Sequence, residues 1–412
     1  MKKILFVVGA FQVGGIQSYF CKLFKRLSQD YEVSVLLLSD KNDETMLNML
    51  KYNSTVYYWR DFVNNEIMFT KYSAFNHSLG LSENKIRDKF SDIDYLHAVD
   101  SETLIPAYQV SSLVCATLTL GCYHPREFTW KASFFDYFRA VQLDLIYRMP
   151  SRNIFYCTQD IARESMSATQ GEMDSKIVIP LCVDDETGIY SNYSSNRIVS
   201  VGRLVGFKSY NENIIKILDK LNDSLVGRPP FEYHIYGSGP NEKHLKYLAS
   251  KIRSKVIFNG EVKYDNMKSV IKDSFIYIGT GSTLMESAIL GVPTIIGIDS
   301  IKTPDTYGFY HEVEGTNNGE VDPSLNVKPI LDVILGIIKN KSDYDLAAIH
   351  GKERACHFSV SSVSKIWHDS LLHSESINIG EYHYSGRRYF VSSFLWNASN
   401  MTRLLKDRKE RY

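Results

Sequence analysis

Residues 278–286 read Ile-Gly-Thr-Gly-Ser-Thr-Leu-Met-Glu, and Gly-Val-Pro follows at residues 291–293. The apolar run Phe275–Gly279 predicts a buried strand, and Leu284–Leu290 predicts a helix that begins after a turn rich in glycine and hydroxyl side chains. The free N–H groups and the positive dipole end at the start of such a helix suit a phosphate group. Glu286, one turn into the helix, either binds the diol of a ribose or is a capping or surface carboxylate.

Strands and helices alternate on both sides of this stretch, which predicts right-handed βαβ units and parallel sheets. Strands are predicted at Lys3–Val8, Glu32–Leu38, Asp94–Val99, Leu113–Leu120, Asn153–Cys157, Lys176–Ile179, Arg197–Val201, Glu232–Tyr236, Lys255–Phe258, Phe275–Gly279 and Thr294–Ile298. The polar segment Pro180–Asn196 has no periodicity and predicts a connector. We therefore predict an α/β protein with two doubly wound parallel-sheet domains, at residues 1–187 and 188–373, and a helical tail at residues 374–412 that packs back on the first domain.

Two other loops of the second half follow predicted strands, where open α/β sheets bind their ligands. Arg203 and Lys208 lie five residues apart after the first of these strands. A planar guanidinium and a compact ammonium can together hold one diphosphate, although a solvated pair of cations would have the same spacing. Gly237-Ser-Gly-Pro follows the next strand and allows a close approach of the backbone to a ligand or a helix.

The composition and the motifs that are lacking exclude several classes of protein. The chain has 412 residues, with 47 Lys and Arg against 47 Asp and Glu, so no net positive charge supports a general nucleic-acid-binding surface. No Gly-x-Gly-x-x-Gly motif follows the first strand and no Walker A motif occurs, which argues against a dehydrogenase and a P-loop ATPase. No Cys/His cluster has the spacing of a zinc site.

Cysteine usage and hydropathy bear on the compartment. The six cysteines form no Cys-x-x-Cys pair, and no apolar run reaches the roughly 18 residues that a membrane span needs. We therefore predict reduced thiols in a cytoplasmic protein, whose N-terminal apolar run is a buried strand and not a signal peptide.

The C-terminal tail has its own composition. Residues 387–412 carry seven Lys or Arg against two acidic residues, a net charge of +5, and four aromatic residues precede most of the cations. Those aromatic residues are Tyr389, Phe390, Phe394 and Trp396. The tail either packs on the first domain with a solvated basic end, or makes a peripheral contact with anionic lipid headgroups at the inner face of the cell membrane.

Taken in order along the chain, the motifs resemble the retaining, two-domain nucleotide-sugar glycosyltransferases of family 4 (group 1), which have the GT-B fold. The matching segments are Gly14-Gly15, Asp94-Tyr-Leu-His97, His124, Ile179-Pro180 with Val183-Asp184, Gly202-Arg203 with Lys208, Gly237-Ser-Gly239-Pro240, Phe258-Asn-Gly260 and Glu286-Ser-Ala-Ile-Leu-Gly291-Val-Pro293. The resemblance implies two Rossmann-like domains that face a central cleft, with the acceptor on the first and the nucleotide sugar on the second.

The resemblance also implies roles for individual residues. Arg203 and Lys208 would hold the donor diphosphate, Glu286 would bind the donor ribose, and His124 would contact the donor sugar; these four are the catalytic candidates. His124 could instead be a satisfied loop histidine. The other donor contacts that the resemblance implies are Gly14, Gly15, Gly237, Gly260, Val262, Gly281, Ser282, Thr283 and Leu284.

One position departs from the family pattern. The first glutamate of the family's Glu-x7-Glu pattern would lie eight positions before Glu286, where this chain has Ile278. Any role of that carboxylate near the sugar is therefore unfilled. Two cations and a helix N-terminus can meet the negative charge that develops on a diphosphate, so neither a metal ion nor a cofactor besides the UDP- or GDP-linked donor is expected.

We therefore predict a glycosyltransferase that moves a sugar from a nucleotide-diphosphate sugar to a hydroxyl of a glycan, with retention of anomeric configuration. The expected acceptor is a lipid-linked glycan in bacterial surface polysaccharide synthesis, such as O-antigen, capsule or lipopolysaccharide. Two alternatives stay open: a transferase for a small-molecule or protein acceptor, and a nucleotide-sugar-binding protein without turnover. Acceptor choice is expected in the aromatic-rich segments Tyr52–Leu81 and Arg126–Arg148, whose rings either stack on sugars or pack in the core.

Overall fold

The computed structural model describes residues 1–12, 14–64, 76, 78–124, 127–128, 137–376, 382 and 384–395. Within them the chain forms two compact units, residues 1–181 with 363–412, and residues 182–362. Each unit contains one seven-stranded sheet. These are two α/β domains of the predicted kind, with predominantly parallel strands.

The first unit begins with a largely buried strand that lies in the interior of its sheet. The strands of this unit are β1 (Lys2–Val8), β2 (Tyr31–Leu37), β3 (Thr55–Tyr58), β4 (Tyr95–Ala98), β5 (Thr117–Cys122), β6 (Ile154–Tyr156) and β7 (Ile177–Val178). They are parallel and lie in the order β3-β2-β1-β4-β5-β6-β7. The chain direction across the sheet therefore reverses between β1 and β4, which lie side by side.

Helices cover the first sheet with their apolar faces. Those of the first half are α1 (Gly15–Leu27), α2 (Glu44–Asn53), α3 (Glu83–Phe90), α4 (Ser101–Val114), α5 (Tyr137–Arg148) and α6 (Gln159–Glu164). In α1 the buried residues Phe20, Leu23, Phe24 and Leu27 recur at helical spacing, so one side of the helix packs on the sheet.

The second unit repeats the design, but two of its strand pairings are antiparallel. Its strands are β8 (Arg197–Val201), β9 (Glu232–Tyr236), β10 (Val256–Phe258), β11 (Ile276–Gly279), β12 (Thr294–Gly297), β13 (Asp305–Phe309) and β14 (Lys328–Pro329). Its helices are α7 (Tyr210–Asp223), α8 (Glu242–Ala249), α9 (Tyr264–Ile271), α10 (Ser282–Ile289), α11 (Ile330–Lys339) and α12 (Lys341–Cys356). The strand order is β10-β9-β8-β11-β12-β13-β14, and only the pairings of β12 with β13 and of β13 with β14 are antiparallel among the described strands.

A last long helix, α13 (Val360–His373), belongs for most of its length to the first unit. Trp367 is fully buried there, with its ring 5.8 Å from that of Phe6, and its indole N–H donates to the Tyr19 hydroxyl at 2.6 Å. The sequence placed residues up to 373 in the second domain, whereas the structure divides the chain at residue 362 because this tryptophan fills the first core.

The other boundary lies earlier than the sequence indicated, at residue 181 and not 187. Val183 exchanges backbone hydrogen bonds with the segment before α13, accepting from Val360 N–H at 2.8 Å and donating to Phe358 O at 2.9 Å. These bonds fasten the connector to the second unit from residue 182 onward.

The described part of the C-terminal tail packs on the first unit. Residues 386–395 are helical, Tyr389 is 1% exposed, and the Ser392 hydroxyl accepts from Phe138 N–H at 3.3 Å. Gln109 donates to the Tyr384 hydroxyl at 2.7 Å. Trp396 and the five cations from Arg403 onward lie outside the described residues.

Two sequence expectations change in the first unit. The predicted strand Leu113–Leu120 begins at Thr117, because α4 continues to Val114 and Cys115 then ends it with a left-handed φ of 58°. Tyr52–Leu81, the first of the two segments expected to select an acceptor, contains β3 and a short 3-10 helix, Trp59–Phe62. In this helix Trp59 is 0% exposed and Phe62 is buried. These two rings pack in the core and are not available to stack on a sugar.

Among the described residues, every helix is too short or too polar to cross a bilayer. All six cysteines are free thiols.

Candidate functional site

The candidate site begins where β8 and β11 lie side by side. Ile198 pairs with Ile276 and Val199 with Tyr277, in parallel register. The strand order reverses here, since β9 and β10 lie on one side and β12 on the other. Such a reversal opens a crevice at the carboxyl ends of the strands, and ligands of open α/β sheets bind there.

The loop after β8 carries the two predicted cations. Arg203 is exposed, and Lys208 is half-buried with its Nζ near the Gly202 α-carbon, 3.1 Å from where a β-carbon would project. Burial lowers the pKa of Lys208, and the neighbouring Arg203 charge lowers it further, whereas the Asp299 carboxylate opposes the shift. A bound anion would stabilise the charged ammonium, so the loop is suited to a diphosphate.

The Gly237-Ser-Gly-Pro loop packs against this cationic loop. Gly237 has a φ of +136°, and a β-carbon there would overlap the carbonyl oxygen of Gly202. Leu204 N–H donates to Ser238 O at 2.8 Å, and Gly237 N–H donates to Gly260 O at 2.7 Å. The close approach that the glycine permits is therefore to the backbone of the loop that bears Arg203.

The next loop along the chain follows β10 and lies at the same edge of the second sheet. Gly260 has a φ of +71°, and Val262 is partly buried. Ser238 donates its hydroxyl hydrogen to the Glu261 carboxylate. Residues 237, 260 and 262 thus lie in the same unit as the cationic loop.

The α10 N-terminus faces the same edge. Gly281 is its N-cap with a φ of +72°, and no side chain caps the helix. Gly281 N–H donates to Asn318 O at 2.6 Å, and Leu284 N–H donates to Gly281 O at 3.1 Å. Two of the four predicted donors, Gly281 and Leu284, thus bond within the chain, while Ser282 and Thr283 N–H groups lie in the first turn, where a phosphate would be bound.

Glu286 lies one turn into α10 and is 2% exposed. It is therefore not a surface carboxylate. Burial raises the pKa of Tyr277 well above its ordinary value, and the Glu286 charge adds to that rise. Tyr277 in turn hydrogen-bonds the backbone of Val201, so Glu286 lies beside the junction of β8 and β11.

A residue that the sequence did not single out joins this group. Asp299 follows β12, and burial raises the pKa of its carboxyl to about 6, while Lys208 opposes the rise and Glu320 adds to it. A carboxylate directly after a buried parallel strand was the available signal, because such strand ends carry ligand sites.

The first unit holds the other predicted site residues. Gly14 is the N-cap of α1 in extended conformation, without a side-chain cap, and Gly15 begins the helix. His124 is exposed beyond β5, and its carbonyl accepts from Glu127 N–H at 3.0 Å. These residues are not in the unit that contains Arg203, Lys208 and the α10 N-terminus.

His97 of the Asp-Tyr-Leu-His motif is a core residue. It is 0% exposed, its Nδ1 lies 2.9 Å from the Thr119 hydroxyl, and its ring lies 4.8 Å from that of Trp367. Burial lowers its pKa to about 3, so the imidazole is neutral. A neutral, enclosed ring at this place stabilises the packing of β4 on β5.

A family model described as "Glycosyl transferases group 1" matches residues 189–348, which are most of the second unit. The matched segment contains every predicted site residue of that unit. No curated protein sequence matches the chain.

Solved structures resemble the whole chain in fold. The Anabaena protein Alr3699/HepE in complex with UDP and glucose has 16% identity and a TM-score of 0.61, covering 90% of this chain and 100% of its own. The lipopolysaccharide outer core galactosyltransferase WaaB has 16% identity and a TM-score of 0.57, with coverages of 90% and 99%. A UDP-GlcNAc 2-epimerase from Neisseria meningitidis has 15% identity and a TM-score of 0.51, with coverages of 90% and 99%. The chain has the two-domain GT-B fold.

Proposed function

We propose that this chain, whose residues 189–348 match the group 1 glycosyl transferases, transfers a sugar from a nucleotide-diphosphate sugar to a hydroxyl acceptor. The observation that carries the proposal is the convergence of two cations and an uncapped helix N-terminus at the strand reversal of the second unit. Structural relatives bound to UDP and to UDP-glucose support a nucleotide sugar as the donor.

The donor is assigned to residues of the second unit by their chemistry. Arg203, Lys208 and the first-turn N–H groups of α10 would bind the diphosphate, and Glu286 would accept hydrogen bonds from the ribose hydroxyls. As the bond between the sugar and the diphosphate breaks, negative charge develops on the leaving group. Fixed cations and oriented N–H groups stabilise that charge without an additional ion, so we propose that transfer does not require a metal.

The remaining assignments rest on the resemblance to family 4. We assign Gly14, Gly15 and His124 of the first unit to the transferred sugar and the acceptor. We propose that the anomeric configuration is retained and that the acceptor is a lipid-linked glycan of a bacterial surface polysaccharide such as O-antigen, capsule or lipopolysaccharide. A galactosyltransferase of the lipopolysaccharide outer core among the relatives of this fold supports that acceptor class.

Nucleotide-sugar binding tests this proposal first. Native mass spectrometry of the full chain with UDP-glucose, UDP-galactose, UDP-N-acetylglucosamine and GDP-mannose should show one bound donor for at least one of them. The donor that binds is then incubated with lipid-linked glycan acceptors, with EDTA in excess. Transfer supports an enzyme, whereas binding without turnover on any acceptor supports the alternative of a sugar-nucleotide-binding protein.

Glu286→Gln is expected to weaken binding of the nucleoside diphosphate by about 10-fold or more, because a hydrogen bond to a charged group contributes about 1.5–3 kcal/mol. Calorimetric titration with the nucleotide and with its 2′,3′-dideoxy form measures the ribose contribution directly. Wild type should prefer the ribonucleotide, and the variant should show a smaller preference, because its amide oxygen accepts without the charge. The control is Glu242→Gln, which replaces a partly exposed helix carboxylate that is paired with Lys246. A wild-type protein that binds both forms equally would remove Glu286 from the ribose site.

The C-terminal cations are proposed to make a peripheral contact with an anionic membrane. Because Tyr389 and Ser393 are buried in the first unit, deletion of the whole tail would also remove core contacts. Glutamine should instead replace the five distal cations, Arg403, Lys406, Arg408, Lys409 and Arg411. Sedimentation with phosphatidylglycerol vesicles should then fall, since each such cation contributes about 1 kcal/mol near an anionic surface. Equal sedimentation of variant and wild type would exclude the contact.

A further inference from the structure

Asp299 is held in place by backbone contacts on both sides. Its own N–H donates to Gly319 O at 2.8 Å, and the next N–H, that of Ser300, donates to Phe207 O at 2.6 Å. Ser300 has a left-handed φ of 60°, which is unusual for a residue with a side chain. The segment is therefore fixed against the loop that carries Lys208.

The Asp299 carboxyl and the Lys208 ammonium act on each other. Each charge stabilises the other against the cost of burial. The other groups that face Asp299 are Glu320, whose charge raises the pKa of Asp299, and the Thr280 hydroxyl, whose hydrogen bond lowers it. Tyr210 also lies near, since Asp299 raises its pKa. With a pKa of about 6, the carboxyl is mostly ionised at pH 7.5 and accepts hydrogen bonds.

One carboxyl oxygen of Asp299, Oδ1, is enclosed and has no hydrogen-bond donor among the described residues. Burial of an oxygen acceptor without a donor is unfavourable, so the side chain is placed for a partner that the described chain does not supply. A rotation about the last side-chain torsion exchanges the two oxygens, and the residue is partly exposed, so a ligand can reach the group.

Two other positions could supply a carboxylate or a polar contact here, and neither does. Ile278 is 0% exposed within β11 and offers no polar atom. Glu320 is exposed, and its carboxylate already accepts from Asn318 N–H at 2.7 Å. Asp299 is therefore the carboxylate beside Lys208 that has an oxygen able to accept a further hydrogen bond.

We propose that Asp299 accepts hydrogen bonds from hydroxyl groups of the sugar carried by the nucleotide and thereby selects that sugar; this rests on the proposed function. A carboxylate repels a diphosphate but binds vicinal hydroxyls well. Because the sugar is bonded directly to the diphosphate, a group next to the cation that holds the diphosphate lies within reach of the sugar. The selecting carboxylate therefore comes from the end of β12.

The test compares two ligands that share the diphosphate. Affinities of wild type, Asp299→Asn and Asp299→Ala are measured by calorimetry for the nucleotide sugar found by mass spectrometry and for its nucleoside diphosphate. We expect both variants to lose about 10-fold or more in affinity for the sugar conjugate, with unchanged or tighter binding of the nucleoside diphosphate. Glu320→Gln removes a nearby charge but not the acceptor, so it should lower neither affinity.

Each other outcome shows whether the role of Asp299 or the proposed function is wrong. An equal loss for both ligands, or no loss for either, overturns the role of Asp299 in sugar binding and leaves the donor site intact. Wild type that binds neither ligand overturns the proposed function itself, and this inference with it. Because each variant is judged by the ratio of its two affinities, partial unfolding, which lowers both equally, cannot imitate the expected result.

Discussion

Lys208→Ala is expected to lower the rate of sugar transfer by about 10²–10³, the usual cost of removing one group that stabilises a developing anion. The half-buried ammonium lies over the Gly202 backbone at the reversal of the second sheet, where it would meet the leaving diphosphate. The charge on that leaving group grows as the bond to the sugar breaks, so kcat should fall more than KM rises. Arg203→Ala should act in the same direction.

Lys216→Ala is the matched control for this variant. Lys216 lies on α7, eight residues further on, in an ion pair with Glu212 at 2.7 Å on the surface. Such a pair contributes about 0–1 kcal/mol to stability and has no part in the site. Initial rates with a saturating acceptor measure all three variants. If Lys208→Ala keeps its rate within about twofold of Lys216→Ala, the leaving group is not stabilised at this loop.

Gly237→Ala is expected to destabilise the second unit by about 2–5 kcal/mol, from backbone strain and overpacking together. Its φ of +136° disfavours any side chain, and the new methyl group would overlap the Gly202 carbonyl oxygen, which belongs to the backbone and cannot rotate away. The loop that bears Arg203 must then shift, so donor affinity should fall as well.

Gly206→Ala is the control within the same loop, because a β-carbon at Gly206 meets nothing within 4 Å and its φ is ordinary. Denaturant unfolding of both variants, followed by far-UV circular dichroism, gives the difference in midpoint. Equal midpoints would show that the Gly237 loop is free to move away from Gly202, contrary to the packing described.

The alternation of strands and helices was predictable because buried parallel strands are continuous apolar runs, such as Ile4–Val8 and Ile276–Ile278. Three strands escaped prediction. Thr55–Tyr58 lies in an aromatic-rich segment that is expected to select an acceptor, and Asp305–Phe309 and Lys328–Pro329 are short antiparallel strands of mixed polarity. Such strands are specified by pairing with a neighbour and not by their own pattern.

The domain limits depended on contacts that a local pattern does not contain. The helical periodicity around Trp367 does not show on which unit this side chain packs. Its hydrogen bond to Tyr19, 348 residues earlier in the chain, places it in the first unit.

The positions of the loops that we propose bind the donor were predictable as far as glycine and charge mark them. Arg203, Lys208 and the Gly281 turn follow strands, and parallel pairing brings strand ends together. Asp299 also follows a predicted strand, but Ile-Asp-Ser matches no motif and the placement of its side chain depends on Phe207 and Gly319. The burial of Glu286 likewise follows from the tertiary structure and not from its position in α10.

The position of the diphosphate can be seen in a crystal structure of the full chain soaked with the nucleoside diphosphate that binds tightest. We expect phosphate oxygens within hydrogen-bond distance of Lys208 Nζ, of the Arg203 guanidinium and of the Ser282 or Thr283 N–H group. Density for the diphosphate at any other place in the chain, with these groups free of it, would show that the donor does not bind at the strand reversal of the second sheet.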